Sequence, residues 1–303
     1  MRRVLKWVGV TLGSILGLLI VFVGISYIVS SSELSSTFEV PTETVAILTD
    51  SASMAEGKYL ATAIGKCVEC HGGDFGGKVF IDEPIIGHVA GKNITRGKGG
   101  IGAEFKVEDW VRAIRYGVKP DGKGLVVMPS EDYWYMSDEE LGKLIGYLQS
   151  VPPVDREVEE PSLGILGRVL VTVGALPLFA TEKIDLKATR PAPPPSAPTA
   201  EYGEHLTKIG GCIGCHRPDF SGGPVSAGAP DWPPAANLTP HTDGLGSWNE
   251  AEFTTALRLG KSKDGRALNP EAMPWGTTAL MTDDDIHAMW LYLRTVPAKE
   301  TGT

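Results

Sequence analysis

The sequence predicts an all-α protein, two tandem copies of one helical domain behind an N-terminal transmembrane helix. Three observations predict it. A long uncharged stretch follows a basic N-terminus, a set of short motifs recurs about 145 residues apart, and the segments between motifs carry helical apolar spacing with almost no period-two alternation.

Arg2, Arg3 and Lys6 precede a run from Trp7 to Ser32 that holds no charged residue and is strongly apolar from Leu16 to Ile25. Crossing a bilayer takes about 20 apolar residues. The basic flank keeps Met1 on the cytoplasmic side and exports everything after Glu33, with Trp7 and Tyr27 near the two interfaces. A cleaved signal peptide is the rival, but its apolar region runs only about 7–15 residues, and no Ala-x-Ala site follows. Residues 1–36 therefore read as an uncleaved anchor, with Ser30 to Ser36 a polar tether. The remainder is placed on the periplasmic side of a cell inner membrane.

An offset of 145 carries Cys67, Cys70 and His71 onto Cys212, Cys215 and His216. It also carries Asp74-Phe75 onto Asp219-Phe220, Met128-Pro129 onto Met273-Pro274, Met136 onto Met281, and Tyr147-Leu148 onto Tyr292-Leu293. Small loop insertions shift it to 144 at Asn93 and Asn237 and to 143 at Arg115 and Arg258. The repeat sets the domains at 37–152 and 200–303. Each has a first helix entering the cysteine pair (about Met54 to Ile64, and Ala200 to Ile209), a middle helix after Phe105 or Trp248, and a capped last helix. Ser137 with Glu140 fits a capping box, and Thr282 with Asp285 is a weaker version.

Residues 153–199 separate the domains. Arg190 to Thr199 is proline-rich and suits a semi-rigid polyproline II spacer. Leu163 to Ala180 is apolar but interrupted by Arg168 and Pro177, so it reads as a strap packed across the domains or lying at the membrane surface. The formal charge is 28 − 37 = −9, with acidic residues spread along the chain, which excludes a nucleic-acid role.

Four cysteines in two close pairs are too few for a disulfide scaffold in 303 residues. Both pairs match C-x-x-C-H, the pattern of c-type haem attachment. Two thiols on one helical turn reach the two vinyl groups of a porphyrin, and the following histidine is held against the iron. A zinc site would need four converging ligands, and a redox dithiol expects a βαβ context that is missing. Two covalently attached haem c groups are therefore expected, bound through Cys67, Cys70, Cys212 and Cys215, with His71 and His216 on the irons.

Met128 and Met273 each lie 57 residues after their histidine, as a duplicated sixth ligand requires. Met136 and Met281 also repeat, but they sit before the caps, where a hydrophobic staple belongs, and read as core. His88, His205, His241 and His287 do not repeat, which disfavours bis-histidine ligation; His88 is the alternative ligand in the first domain. Arg115 and Arg258 read either as propionate partners or as solvated helix-end arginines. Asn93 and Asn237 read either as propionate partners or as turn builders.

These motifs resemble the class I c-type cytochrome domains of cytochrome subunits in membrane-bound alcohol, aldehyde and sugar-acid dehydrogenases. The resemblance rests on both C-x-x-C-H sites, Asn237-Leu-Thr-Pro240, Ala256-Leu-Arg-x-Gly260, Met-Pro followed by Met-(Ser/Thr)-Asp, and the closing Val151-Pro152 and Val296-Pro297. It implies histidine–methionine haems and electron transfer from a dehydrogenase or quinol to an acceptor such as a terminal oxidase or soluble cytochrome. Subunits of that kind look like three haem domains, and this sequence carries two. The expected partners are redox proteins of a membrane respiratory or dehydrogenase complex. The alternatives are a dihaem peroxidase or thiosulfate-oxidising enzyme, and a structural subunit of a respiratory supercomplex.

Overall fold

The computed structural model describes residues 2–225, 228–229 and 231–303; Met1, expected on the cytoplasmic side, lies outside the described residues. Helix α1 (Arg2–Leu34) runs unbroken, its apolar side chains exposed along most of its length, which fits a single-pass membrane anchor. The serines expected as a tether instead belong largely to the helix. Ser26 Oγ donates to the Phe22 carbonyl (3.0 Å) and Ser30 Oγ to that of Ser26 (2.5 Å), so their hydroxyls are satisfied without leaving helical geometry.

The first repeat contains α2 (Ser51–Tyr59), α3 (Cys67–His71), α4 (Val107–Tyr116), α5 (Ser130–Tyr133) and α6 (Asp138–Ser150). After the intervening helix α7 (Ile165–Thr172), the second repeats that order with α8 (Ala200–Ile209), α9 (Cys212–His216), α10 (Glu250–Leu259), α11 (Trp275–Thr278) and α12 (Asp283–Leu293). In each, the first helix packs across the last. Gly57 lies on the Lys143 carbonyl and Gly203 on that of Ala288, closer than a Cβ would allow, so these glycines set the crossing distance. A π-helical stretch, Leu60–Ile64, continues α2, whereas α8 is regular.

The helical reading missed a small antiparallel sheet, β1 (Lys78–Glu83), β2 (Gly87–Gly91) and β3 (Ser162–Leu163). Its signal was hidden because β1 is largely exposed on both faces and β2 is bounded by glycines, so neither alternates. Gly91 rests on the Cys70 carbonyl, and the sheet thereby covers α3. In the matching place the second repeat has an isolated bridge between Gly223 and Ala235.

Buried side chains of both repeats form one connected core, with Leu60 and Ile64 in the same cluster as Leu206 and Ile209. The interface is pseudo-symmetric: the Leu60–Ile64 turn packs on α11, and α8 packs on α5, the counterpart of α11. Its polar contacts are reciprocal. Glu140 completes the capping box of α6 by accepting from Ser137 N (2.8 Å), and its other oxygen meets Nε2 of His205 on the opposite repeat at 2.7 Å. At α12, the backbone N–H of Thr282 donates to Tyr59 Oη (3.0 Å), and that hydroxyl donates to Asp285. A tyrosine from the first repeat thus bridges the cap that Asp285 is too short to close.

Candidate haem sites

Each C-x-x-C-H forms one short helix entered through left-handed backbone. Lys66 (φ 51°) and Gly211 (φ 67°), equivalent in the repeat, hold that conformation, and the two phenylalanines after the motif do as well, Phe75 at 58° and Phe220 at 62°. Lysine adopts it at a cost of about 1–2 kcal/mol; its Nζ is tied across the interface to the Gly210 carbonyl at 2.6 Å. Phe75 meets Tyr147 and Phe220 meets Tyr292 edge-on, both with centroids 5.9 Å apart, locking the loop after each motif onto the last helix.

The four cysteines are half-buried unpaired thiols. Burial pushes Cys67 up to about 12, with the Cys70 charge a smaller contribution, and it raises Cys70, Cys212 and Cys215 as well. Such thiols are poor redox dithiols, which need a depressed pKa. Among the described residues, no three His, Cys, Asp or Glu side chains converge as a metal-ion cage. Each pair therefore stands with its own histidine alone.

Both histidines are prepared in the same way. Nδ1 of His71 lies 2.7 Å from the Lys92 carbonyl and Nδ1 of His216 lies 2.8 Å from that of Ala236. Carbonyl oxygen only accepts, so Nδ1 carries the proton and Nε2 presents its lone pair. Burial lowers both pKa values against the opposing carbonyl bonds, which keeps the rings neutral, the form that binds a metal. The donor set fits a haem iron, which each Nε2 would hold.

Met128 and Met273 occupy matching loops, partly buried against the core, and their carbonyls accept from Ser130 N (2.8 Å) and Trp275 N (2.7 Å). Val127 precedes Met128 at φ 64°, a conformation β-branched residues rarely adopt. Met136 and Met281 are 0 % and 5 % exposed, in the core as their position before the caps implied. His88 faces Asp82 across the hairpin at 3.2 Å, His205 is engaged by Glu140, His287 by Glu250 (2.6 Å), and His241 lies 3.5 Å from Asp243.

Arg115 and Arg258 are both engaged by protein partners, while Arg115 Nε stays a buried donor with no acceptor in the protein. Fully buried Arg115 pairs with Glu43 (2.8 Å) and Asp138 (2.9 Å) and donates to the Met136 carbonyl. Arg258 donates to the Ala279 carbonyl (2.7 Å) and to Asp283. Both arginines tie the middle helix to the start of the last one, and neither is the solvated helix end of the other reading. Asn93 and Asn237 build turns. Each Oδ1 accepts from the backbone and hydroxyl of the threonine two residues on, and each Nδ2 clamps a closing segment, at Val154 and Arg156 or at Lys299 and Thr301.

Two donors were not singled out from the sequence. The indole Nε1 atoms of Trp110 and Trp275 are buried and lack an acceptor within the protein. An orphaned buried N–H is costly, and a bound carboxylate would satisfy it. No repeat signal could reveal them, because Phe253 and Ser130 stand at the corresponding places.

Two helical repeats, each placing a thiol pair and a neutral histidine on one short helix, define a c-type cytochrome. Comparison with known families agrees: residues 200–297 match cytochrome c, and residues 52–148 match the cbb3-type cytochrome c oxidase subunit III family. The chain belongs among the cytochromes c, with two such domains, whose prosthetic group is covalently bound haem c.

More particularly, it is homologous to cytochrome c subunits of membrane dehydrogenases. It is 30 % identical over 272 residues to the cytochrome c subunit of a quinone alcohol dehydrogenase from Gluconacetobacter polyoxogenes, covering 82 % of this chain and 57 % of that one. It is 35 % identical over 288 residues to the gluconate 2-dehydrogenase cytochrome c subunit of Pantoea cypripedii (83 % and 61 %), and 31 % over 284 residues to the fructose dehydrogenase cytochrome subunit of Gluconobacter japonicus (86 % and 56 %). The chain thus spans less than two thirds of the length of these relatives.

Proposed function

We propose that this protein is a membrane-anchored dihaem cytochrome that passes electrons between a quinol-oxidising or dehydrogenase complex and a downstream acceptor on the periplasmic side. The observation that carries the reading is the duplicated histidine, its Nδ1 spent on a carbonyl and its Nε2 left to face a metal. One haem is attached at Cys67 and Cys70 and the other at Cys212 and Cys215, with irons held by His71 and Met128 and by His216 and Met273. The haem domains are 37–152 and 200–303. Haem supplies reversible one-electron chemistry at iron. Methionine as sixth ligand favours the ferrous state and raises the potential relative to bis-histidine ligation.

The protein's part is positional. Trp110 and Trp275, whose buried indole N–H groups lack an acceptor within the protein, would be free to hold a porphyrin carboxylate, and the shared core joins the two haem domains. With Met128 and Met273 as sixth ligands, neither iron would offer an open position for substrate, which favours transfer over the peroxidase or thiosulfate-oxidising alternative. The homologous dehydrogenase subunits support a partner of the same kind: an oxidoreductase that delivers electrons from an organic substrate.

Purified protein should contain two porphyrins per chain that survive denaturation, and its ferric spectrum should show the sulfur-to-iron charge-transfer band. Met128→Ala and Met273→Ala should each remove about half of that band. If both variants keep the full band, the ligand assignment fails; if wild-type protein binds cyanide tightly at one haem at neutral pH, the enzyme alternative gains.

A further inference from the structure

Helix α7 is locked to the exported end of α1. Ser26 and Ser30 of α1 are buried in this junction, Arg168 donates to Ser30 Oγ (2.9 Å) and Ser31 Oγ (3.0 Å), and its guanidinium lies 4.2 Å over the Tyr27 ring. At 1.5 Å per residue, Ser26 stands roughly 28 Å along the axis from Trp7, close to the thickness of a hydrocarbon core. The junction therefore coincides with the membrane boundary that α1 itself defines.

One face of α7 is apolar and bare. Ile165, Leu166, Val169 and Val173 fall within an arc of about 100° at helical spacing, and Ile165, Leu166 and Val173 are 52 %, 39 % and 59 % exposed. Ile85, at the tip between β1 and β2, extends the patch with 60 % exposure, and its carbonyl accepts from Leu166 N at 2.8 Å. The opposite face is spent on the protein, with Gly167 seated on the Ile86 carbonyl. Arg168 is the only charged residue between Leu163 and Ala180, and it points at α1 rather than along this patch.

We propose that the Ile85 tip and the Ile165–Val173 face form a second membrane contact, dipping into the headgroup boundary of the bilayer that α1 crosses. This rests on the reading of α1 as a membrane span. Its occupant is lipid because the patch is continuous with the span, lies at its boundary, and is itself built only of apolar side chains, with Asp82 and Glu83 exposed before the Ile85 tip. A helix with one apolar face at that depth behaves as an interfacial element. Through β2, which covers α3, the contact sets the tilt of the first haem domain relative to the membrane.

The test uses full-length holoprotein in phosphatidylcholine–phosphatidylglycerol nanodiscs, its native cysteines occupied by haem thioethers, with a nitroxide at Leu166→Cys, Val173→Cys, Leu18→Cys or Leu259→Cys. Labels at 166 and 173 should show a several-fold higher ratio of oxygen to water-soluble nickel collision than the label at 259. Labels at 166 and 173 as wet as 259, with 18 deep in lipid, overturn the second contact and leave the anchor intact. A wet label at 18 overturns the anchor, and the second contact falls with it.

Discussion

Asp132 is 7 % exposed and faces Gly211, the residue that leads into the second C-x-x-C-H helix. Burial, and then the Glu131 charge, push its carboxyl up to about 7, against weaker opposition from Lys66 and Lys183. The folded state therefore holds this proton more tightly than the unfolded chain, whose Asp titrates near 3.8. Its contribution to stability is full below that value, declines as pH rises, and is lost above about 7. We expect Asp132→Asn to raise the melting temperature relative to wild type at pH 8 and to leave it nearly unchanged at pH 4. A difference that stays constant between those pH values would count against the buried-acid account. The opposite case is Asp219, held well below the usual carboxylate range by Lys299 and a backbone bond from Ser221, but it is only partly buried and carries little stability.

At the scale of single elements, the matched arginines predict unequal costs. Arg115 is fully buried between Glu43 and Asp138, while Arg258 is 27 % exposed and its partner Asp283 is 91 % exposed. Arg115→Leu should cost on the order of 3 kcal/mol because a buried network loses its centre, and Arg258→Leu about 1 kcal/mol or less. Chemical denaturation of the two variants checks this; equal costs would mean that burial does not govern the pair. The helix crossing is stricter. A side chain at Gly203 would collide with the Ala288 carbonyl, so Gly203→Val should destabilise the second domain by several kcal/mol or abolish its folding. Far-ultraviolet circular dichroism against temperature measures it.

At the scale of the whole molecule, the two repeats are joined by a shared apolar core and by two reciprocal hydrogen-bonded caps, Tyr59 on Asp285 and His205 on Glu140. Burial pushes the Tyr59 hydroxyl well up, and the adjacent Asp285 adds to this, so it remains a donor across the physiological range. The pair Tyr59→Phe and His205→Leu should loosen the domains without touching a haem site. Calorimetry of wild type should then show one cooperative transition and the double variant two. A single transition in both would place all the coupling in the apolar core.

The linear chain by itself determined the duplication, the two C-x-x-C-H motifs, the capped last helices and the apolar N-terminal segment. Each is written in short-range spacing: C-x-x-C-H within one helical turn, Ser137 three residues before Glu140, a long run without charge. It left Arg115, Arg258, Asn93 and Asn237 open between haem and scaffold, since their partners lie in segments distant in the chain, such as Glu43 for Arg115 and Lys299 for Asn237. Only the tertiary structure could place them, because a buried polar group takes whichever partner folding brings within about 3 Å. The sheet, the Tyr59 cap and the orphaned indoles of Trp110 and Trp275 were hidden for the same reason: they arise from contacts between segments, and neither local periodicity nor the repeat encodes those.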